Sequence, residues 1–159
     1  MIDVTVALAI HVVAVVVWIG GVAMVTTVLL PAVRRFKEPP ERFAFFATIE
    51  RGFAAQARAT TLLAGASGFY MAYRLSLWPD FMTLEGWWLD AMLVVWLLFT
   101  FMLFVAEPLF LDRWLQARAR RAPDTTFVLL RWLHGALLTL SLLTILGAVA
   151  GSHGLSIFR

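Results

Sequence analysis

His11 stands inside an almost unbroken apolar run, from Leu8 to Gly21. An ionisable ring in such a run costs free energy unless it binds or pairs with something. Neutral imidazole is also a good ligand for iron, copper and zinc. His134 occupies a second apolar run, and His153 sits in Gly151-Ser152-His153-Gly154. These positions admit cofactor ligation, a proton path or a packed polar ring. Methionine is the natural partner of histidine on haem iron. Met71 and Met92 fall near the depth expected for His11, and Met24 and Met102 near that expected for His134. Each also suits the ordinary role of apolar filler. Arg58, Glu107 and Arg131, extended by Glu50 and Arg51, form a further group. It reads either as interfacial arginines with a paired carboxylate or as a seat for an anion, such as a haem propionate or a quinone carbonyl. Arg131 is one turn before His134, so the two can share a helix face. Glu107-Pro108 suggests a helix irregularity.

The elements that must position these groups are membrane spans. Hydrophobic residues make up 62% of the 159 and charged residues 14%, with a mean hydropathy of +0.86. A soluble domain carries about a quarter charged residues. The apolar content falls into four segments, about 4–32, 60–77, 88–110 and 126–150, and about 20 apolar residues cross the hydrocarbon core. The expected fold is therefore all-α, a single integral-membrane four-helix bundle. The first run has no basic n-region and no small-residue cleavage site, so it is expected to be retained.

Arg34, Arg35, Lys37, Arg42, Arg51 and Arg58 lie between the first two segments, and Arg113, Arg118, Arg120 and Arg121 between the last two. Asp80, Glu85 and Asp90 lie between the second and third. The positive-inside rule then puts both basic loops in the cytoplasm and both termini on the outer, periplasmic side of a bacterial inner membrane. Trp78, Trp87 and Trp88 fit an outer aromatic belt and Trp114 an inner one. Pro39-Pro40 followed by Glu41 looks like a helix start, so the second span is expected to begin as a longer helix. The loop arginines account for the pI of about 10.2 without a nucleic-acid partner. Cysteine is absent, which excludes disulfides, thiolate metal sites, iron–sulfur clusters and covalent c-type haem. No glycine-rich phosphate loop, nucleophile–base arrangement or HExxH helix is present.

Gly20-Gly21, the stretch Ala64 to Gly68, and Gly147 with Gly151 allow close helix contact, or else leave room for a flat macrocycle. At 1.5 Å per residue, His11 lies about 12 Å from the outer end of its span and His134 about 12 Å from the inner end of its own. In a core about 30 Å thick the two are offset in depth. They serve one tilted haem or else belong to two sites.

The pattern His11-Val12-Val13-Ala14-Val15-Val16-Val17-Trp18-Ile19-Gly20-Gly21, followed by Pro31 and basic residues, resembles the first helix of the HemJ-type protoporphyrinogen oxidase family and of the copper-resistance D-like membrane proteins. Gly86-Trp87-Trp88-Leu89-Asp90-Ala91-Met92-Leu93 resembles the segment that opens the third helix in the HemJ group. Leu133-His134 through Gly154 is similar to the terminal helices of the copper-resistance D-like relatives. The resemblance implies a four-helix membrane bundle that binds b-type haem, with His11 as a ligand. The HemJ pattern has a lysine where this chain has Met92 and a histidine where it has Asp90. These departures argue against protoporphyrinogen oxidation and draw Met92 forward as a ligand.

The leading expectation is a membrane cytochrome in one-electron transfer, linked to a quinone. Haem b would be ligated by His11 and His134 and its propionates held by Arg58 or Arg131, with Met92 and His153 as further candidates. One alternative is a copper-handling protein using His11, His153 and the methionines as soft-metal ligands. Another is a non-catalytic subunit of a larger respiratory complex. Self-association is compatible with each.

Overall fold

A computed structural model describes residues 2–153, which form four long helical rods. The first rod joins α1 (Ile2–Met24), a π-helical turn (Val25–Leu29) and α2 (Leu30–Phe36). The second is α3 (Pro39–Arg74). The third joins α4 (Trp87–Phe101), a π-helical segment (Met102–Leu111) and α5 (Asp112–Arg121), and the fourth is α6 (Pro123–Ser152). Among the described residues there is no strand. Rods one, three and four are long and apolar enough to cross a membrane. The 36 residues of α3 are long enough as well, at about 54 Å, but they carry many more polar side chains.

Prolines punctuate the rods. Pro39 and Pro123 open α3 and α6, where a fixed φ and a missing amide suit the first helical turn. Pro31 follows one wide turn and Pro108 lies within the other. Hydrogen bonds there reach back five residues, from Leu30 to Val25 and from Asp112 to Glu107. The third rod continues as helix through residues 113–121, where the arginine pattern points to a loop. Leu, Gln, Ala and Arg in that stretch are all good helix formers. Two-residue and one-residue links make hairpins of rods one and two and of rods three and four. The longer link turns on Ser76 (φ 55°) and Met82 (φ 59°). The Asp90 carboxylate anchors it by accepting the Met82 amide at 3.0 Å.

Aromatic rings wedged into glycine notches fix how the rods meet. Phe53 lies on Gly21, Trp96 on Gly65, Trp87 on Gly147 and Trp88 on Gly151. Helix association in lipid relies on such packing. The chain's own rings fill these four notches, while Gly20 has open space beside it. Trp87 and Trp88 are thus wedges between rods three and four. Trp78 stays exposed, stacked on Phe81 at 5.7 Å.

One buried cluster, with Trp18, Ala57, Ala64 and Phe99, lies mid-bundle. A second, with Leu30, Phe46, Leu115 and Leu130, lies toward the arginine-rich end. At the opposite end the Asp3 carboxylate takes Arg74 at 2.6 Å and the Tyr70 hydroxyl at 3.0 Å. At the basic end Arg42 pairs with Asp124 at 2.7 Å and donates to the Lys37 carbonyl at 3.0 Å. It thereby closes the C-terminus of α2 and ties the two hairpins together.

Candidate functional site

His11 lies on the face of α1 that also buries Ala7, Ala14 and Trp18, at steps of three, four and seven residues. The ring crosses to α3. Its Nδ1 stands 2.9 Å from the Ala64 carbonyl and 3.2 Å from Ser67 Oγ, and Gly68 lies against it. A carbonyl only accepts, so Nδ1 carries the proton and Nε2 the lone pair. Ligating histidines take this same form, with the second nitrogen donating to a carbonyl that fixes tautomer and orientation.

His134 makes the equivalent bond within its own helix, Nδ1 donating to the Leu130 carbonyl at 2.9 Å. Its ring meets Phe46 edge-on at 5.6 Å. Phe46 and Ala64 both belong to α3, and about 27 Å of continuous helix separates them. Two nitrogens on one metal ion lie about 4 Å apart. A single haem held between His11 and His134 does not fit this arrangement, because rods one and four deliver the two rings to distant levels of α3. As a single axial ligand, His11 does fit, since its donor atom and tautomer are those that iron takes. His153 is exposed at the end of α6, its Nδ1 donating to the Val149 carbonyl at 2.8 Å. Met92 is half-buried in α4, one turn before the Trp96 that packs on Gly65.

Arg58 and Glu107 come together as expected, at 2.9 Å, and Arg131 does not join them. It is exposed and makes no ion pair among the described residues. Arg58 has a second task. Its Nε donates to the Leu103 carbonyl at 3.0 Å. In a π ladder the amide owed to that carbonyl belongs to residue 108, and Pro108 has none. The guanidinium therefore replaces a missing backbone donor, which leaves it little freedom to hold a propionate.

Next to this pair a cleft of about 150 Å³ lies at the basic end. Glu50 and Arg51 enter it from α3, and Glu107, Asp112 and Gln116 from the third rod. Phe46, whose ring meets His134, and Leu130, whose carbonyl accepts from it, form part of its apolar wall. Glu50 stands on the stretch of α3 before the expected span. Burial, and then the negative charges of Glu107 and Asp112, push its carboxyl up to about 7, against the opposing pull of Arg58. Such a group exchanges a proton near neutral pH. Among the described residues no three of histidine, aspartate and glutamate are placed to hold a metal ion.

Sequence reasoning named Glu50 only as an extension of the arginine group and gave Asp112, Trp18, Thr61 and Thr100 no role. The one available signal was Glu107-Pro108, since a proline inside an apolar segment leaves a carbonyl to be satisfied. Comparisons of the chain with protein-family models, with curated proteins and with solved structures give no match.

Proposed function

We propose that the chain is a four-span protein of a bacterial inner membrane, basic end in the cytoplasm, that binds haem b through His11 and serves one-electron transfer. The observation that carries this reading is the His11 Nδ1–H bond to the Ala64 carbonyl, which leaves the Nε2 lone pair free and fixed in direction. Bound haem supplies a one-electron couple whose potential depends on its axial ligand and burial. The chain's own part is positional. The Ala64 carbonyl holds the tautomer, Ser67 limits rotation of the ring, and Gly68, with no side chain, lets the ring approach α3 closely. Electrons would be exchanged with a quinone or a neighbouring respiratory complex.

The test is a reduced-minus-oxidised visible spectrum with pyridine haemochrome quantification on the detergent-purified chain. A b-type spectrum is expected, lost in His11→Ala and kept in His134→Ala. Protein free of haem after growth with ample haem would overturn the reading. Copper retained in that protein would favour the soft-metal alternative.

A further inference from the structure

The polar interior of the bundle follows one line. Arg58 and Thr61 are one turn apart on α3, and Trp96, Thr100, Leu103 and Glu107 succeed one another at three- and four-residue steps on the third rod. Two hydrogen-bonded crossings join these stripes. Arg58 reaches Leu103 and Glu107, and Trp96 Nε1–H donates to the Thr61 carbonyl at 2.9 Å. Trp18 enters the same level from rod one, its ring edge-on to Phe99 at 4.8 Å in the cluster that includes Ala57 and Ala64.

Three side-chain atoms of the residues just named, Trp18 Nε1, Thr61 Oγ1 and Thr100 Oγ1, are buried without a hydrogen-bond partner among the described residues. Trp18 is 4% exposed and Thr61 0%. A helical threonine ordinarily turns its hydroxyl back to the carbonyl four residues earlier, as Thr26, Thr27, Thr48, Thr60, Thr126 and Thr139 all do here. Thr61 and Thr100 lack that bond, as half-buried Thr144 does, but their oxygens are the ones sealed from solvent, and the Trp18 indole N–H is left over as well. A donor and two hydroxyls are what a buried water needs.

We propose that these three groups bind water and form the inner end of a proton path that starts at Glu50 in the basic-end cleft and passes the Arg58–Glu107 pair. The path covers about 16 Å along α3 and stops at the bundle centre, short of the Asp3 end. Glu107 and Asp112 face Glu50 from the third rod, Arg51 and Arg58 share its helix, and α6 presents Leu130. What the path carries is exchange: each proton that leaves the centre through the water is matched by one that enters from the cleft, one O–H or N–H bond breaking as another forms, so the centre gains no charge. Glu50, Glu107 and water are the carriers, and Arg58, which keeps its protons, holds Glu107 in place.

The test is hydrogen–deuterium exchange of the Trp18 indole N–H in the full chain, labelled at indole nitrogen, held in mild detergent and assigned with Trp18→Phe. The Trp96 indole, bonded to the Thr61 carbonyl, is the internal control for an intact bundle. Trp18 is expected to exchange within minutes and Trp96 far more slowly. Thr61→Val, and separately Thr100→Val, are expected to slow Trp18 at least tenfold while Trp96 is unchanged. Glu50→Leu is expected to do the same, and Asp3→Asn to leave the rate alone. Three outcomes would each overturn the proposal: a Trp18 indole as protected as Trp96, a rate indifferent to both valine variants, or one that responds to Asp3→Asn and not to Glu50→Leu.

Discussion

His11 and His134 make the same bond in two regions of the molecule and mean different things by it. Each donates Nδ1–H to a backbone carbonyl at 2.9 Å. The His134 carbonyl belongs to its own helix, four residues back, and would be available in any surroundings. The His11 carbonyl lies 53 residues away on another rod, although the carbonyl of Ala7 was within its own helix's reach. A bond of the first kind settles a polar ring in an apolar helix. A bond of the second kind exists only when the bundle is assembled, and it orients the ring relative to two rods at once. The neighbouring glycines differ in the same way. Beside the His11 contact, Gly65 is filled by Trp96. Beside His134, Gly135 has open space.

That contrast gives the largest expected effect on stability. A methyl added at Gly65 would overlap the Trp96 indole, which cannot swing aside without losing its bond to Thr61. Gly65→Ala should therefore destabilise by about 1–3 kcal/mol, the range for overpacking a tight contact. Gly135→Ala meets nothing and should stabilise by up to about 1 kcal/mol through helix propensity. Thermal midpoints followed by tryptophan fluorescence in one detergent compare the two. Equal shifts would mean that the regions are packed alike.

Arg58→Leu comes next. It leaves the Leu103 carbonyl and Glu107 without their donor, and about 1–2 kcal/mol is expected. That is well below the figure for a fully buried pair, because the two side chains are 35% and 22% exposed. Glu107→Gln should cost less, since Arg58 keeps its bond to Leu103. A double-mutant cycle on the two would show whether the carbonyl or the carboxylate matters more.

Glu50 gives the basic end a pH signature of its own. Its folded carboxyl titrates near 7, above the unfolded value of about 4.3. Between these values the folded chain holds more protons than the unfolded one, so stability falls as pH rises through the window. The penalty is absent below it and complete above about 7. Midpoints measured from pH 4.5 to 8 should decline more steeply in the native chain than in Glu50→Gln. Parallel curves would remove Glu50 as the proton-exchanging group.

Much of the fold was legible in the sequence, and much of the site was not. Run length and charge placement marked the apolar segments, the basic end and the early start of α3 at Pro39-Pro40. They could not orient the segments, because a helix that is apolar all round has little preferred face. Which histidine would reach across to another rod was hidden for that reason. The ring–glycine pairs depend on the register between rods, which no single segment encodes. The cleft draws Glu50 together with Glu107 and Asp112 from another rod, and a helix-by-helix reading sees only isolated acids. Asp90 is the opposite case. The sequence pattern that resembles the HemJ group has a histidine there, while here the Asp90 carboxylate closes a turn on Met82, a local bond that needs no cofactor.

The smallest effect bears most directly on the histidine pair. His134→Ala removes one hydrogen bond and an edge-on contact with Phe46, and Leu130's carbonyl still has its helical partner amide. A loss of about 0.5–1 kcal/mol is expected. His11→Ala removes the bond between rods one and two and leaves the Gly68 face uncovered, so about 1–2 kcal/mol is expected, with or without haem. His11→Asn can still donate to the Ala64 carbonyl and should recover part of that loss without recovering any haem spectrum. Such a split between stability and spectrum would separate the ring's hold on α3 from its use as a ligand. If His11→Asn restored neither, the hydrogen bond to Ala64 would not be what sets the two histidines apart.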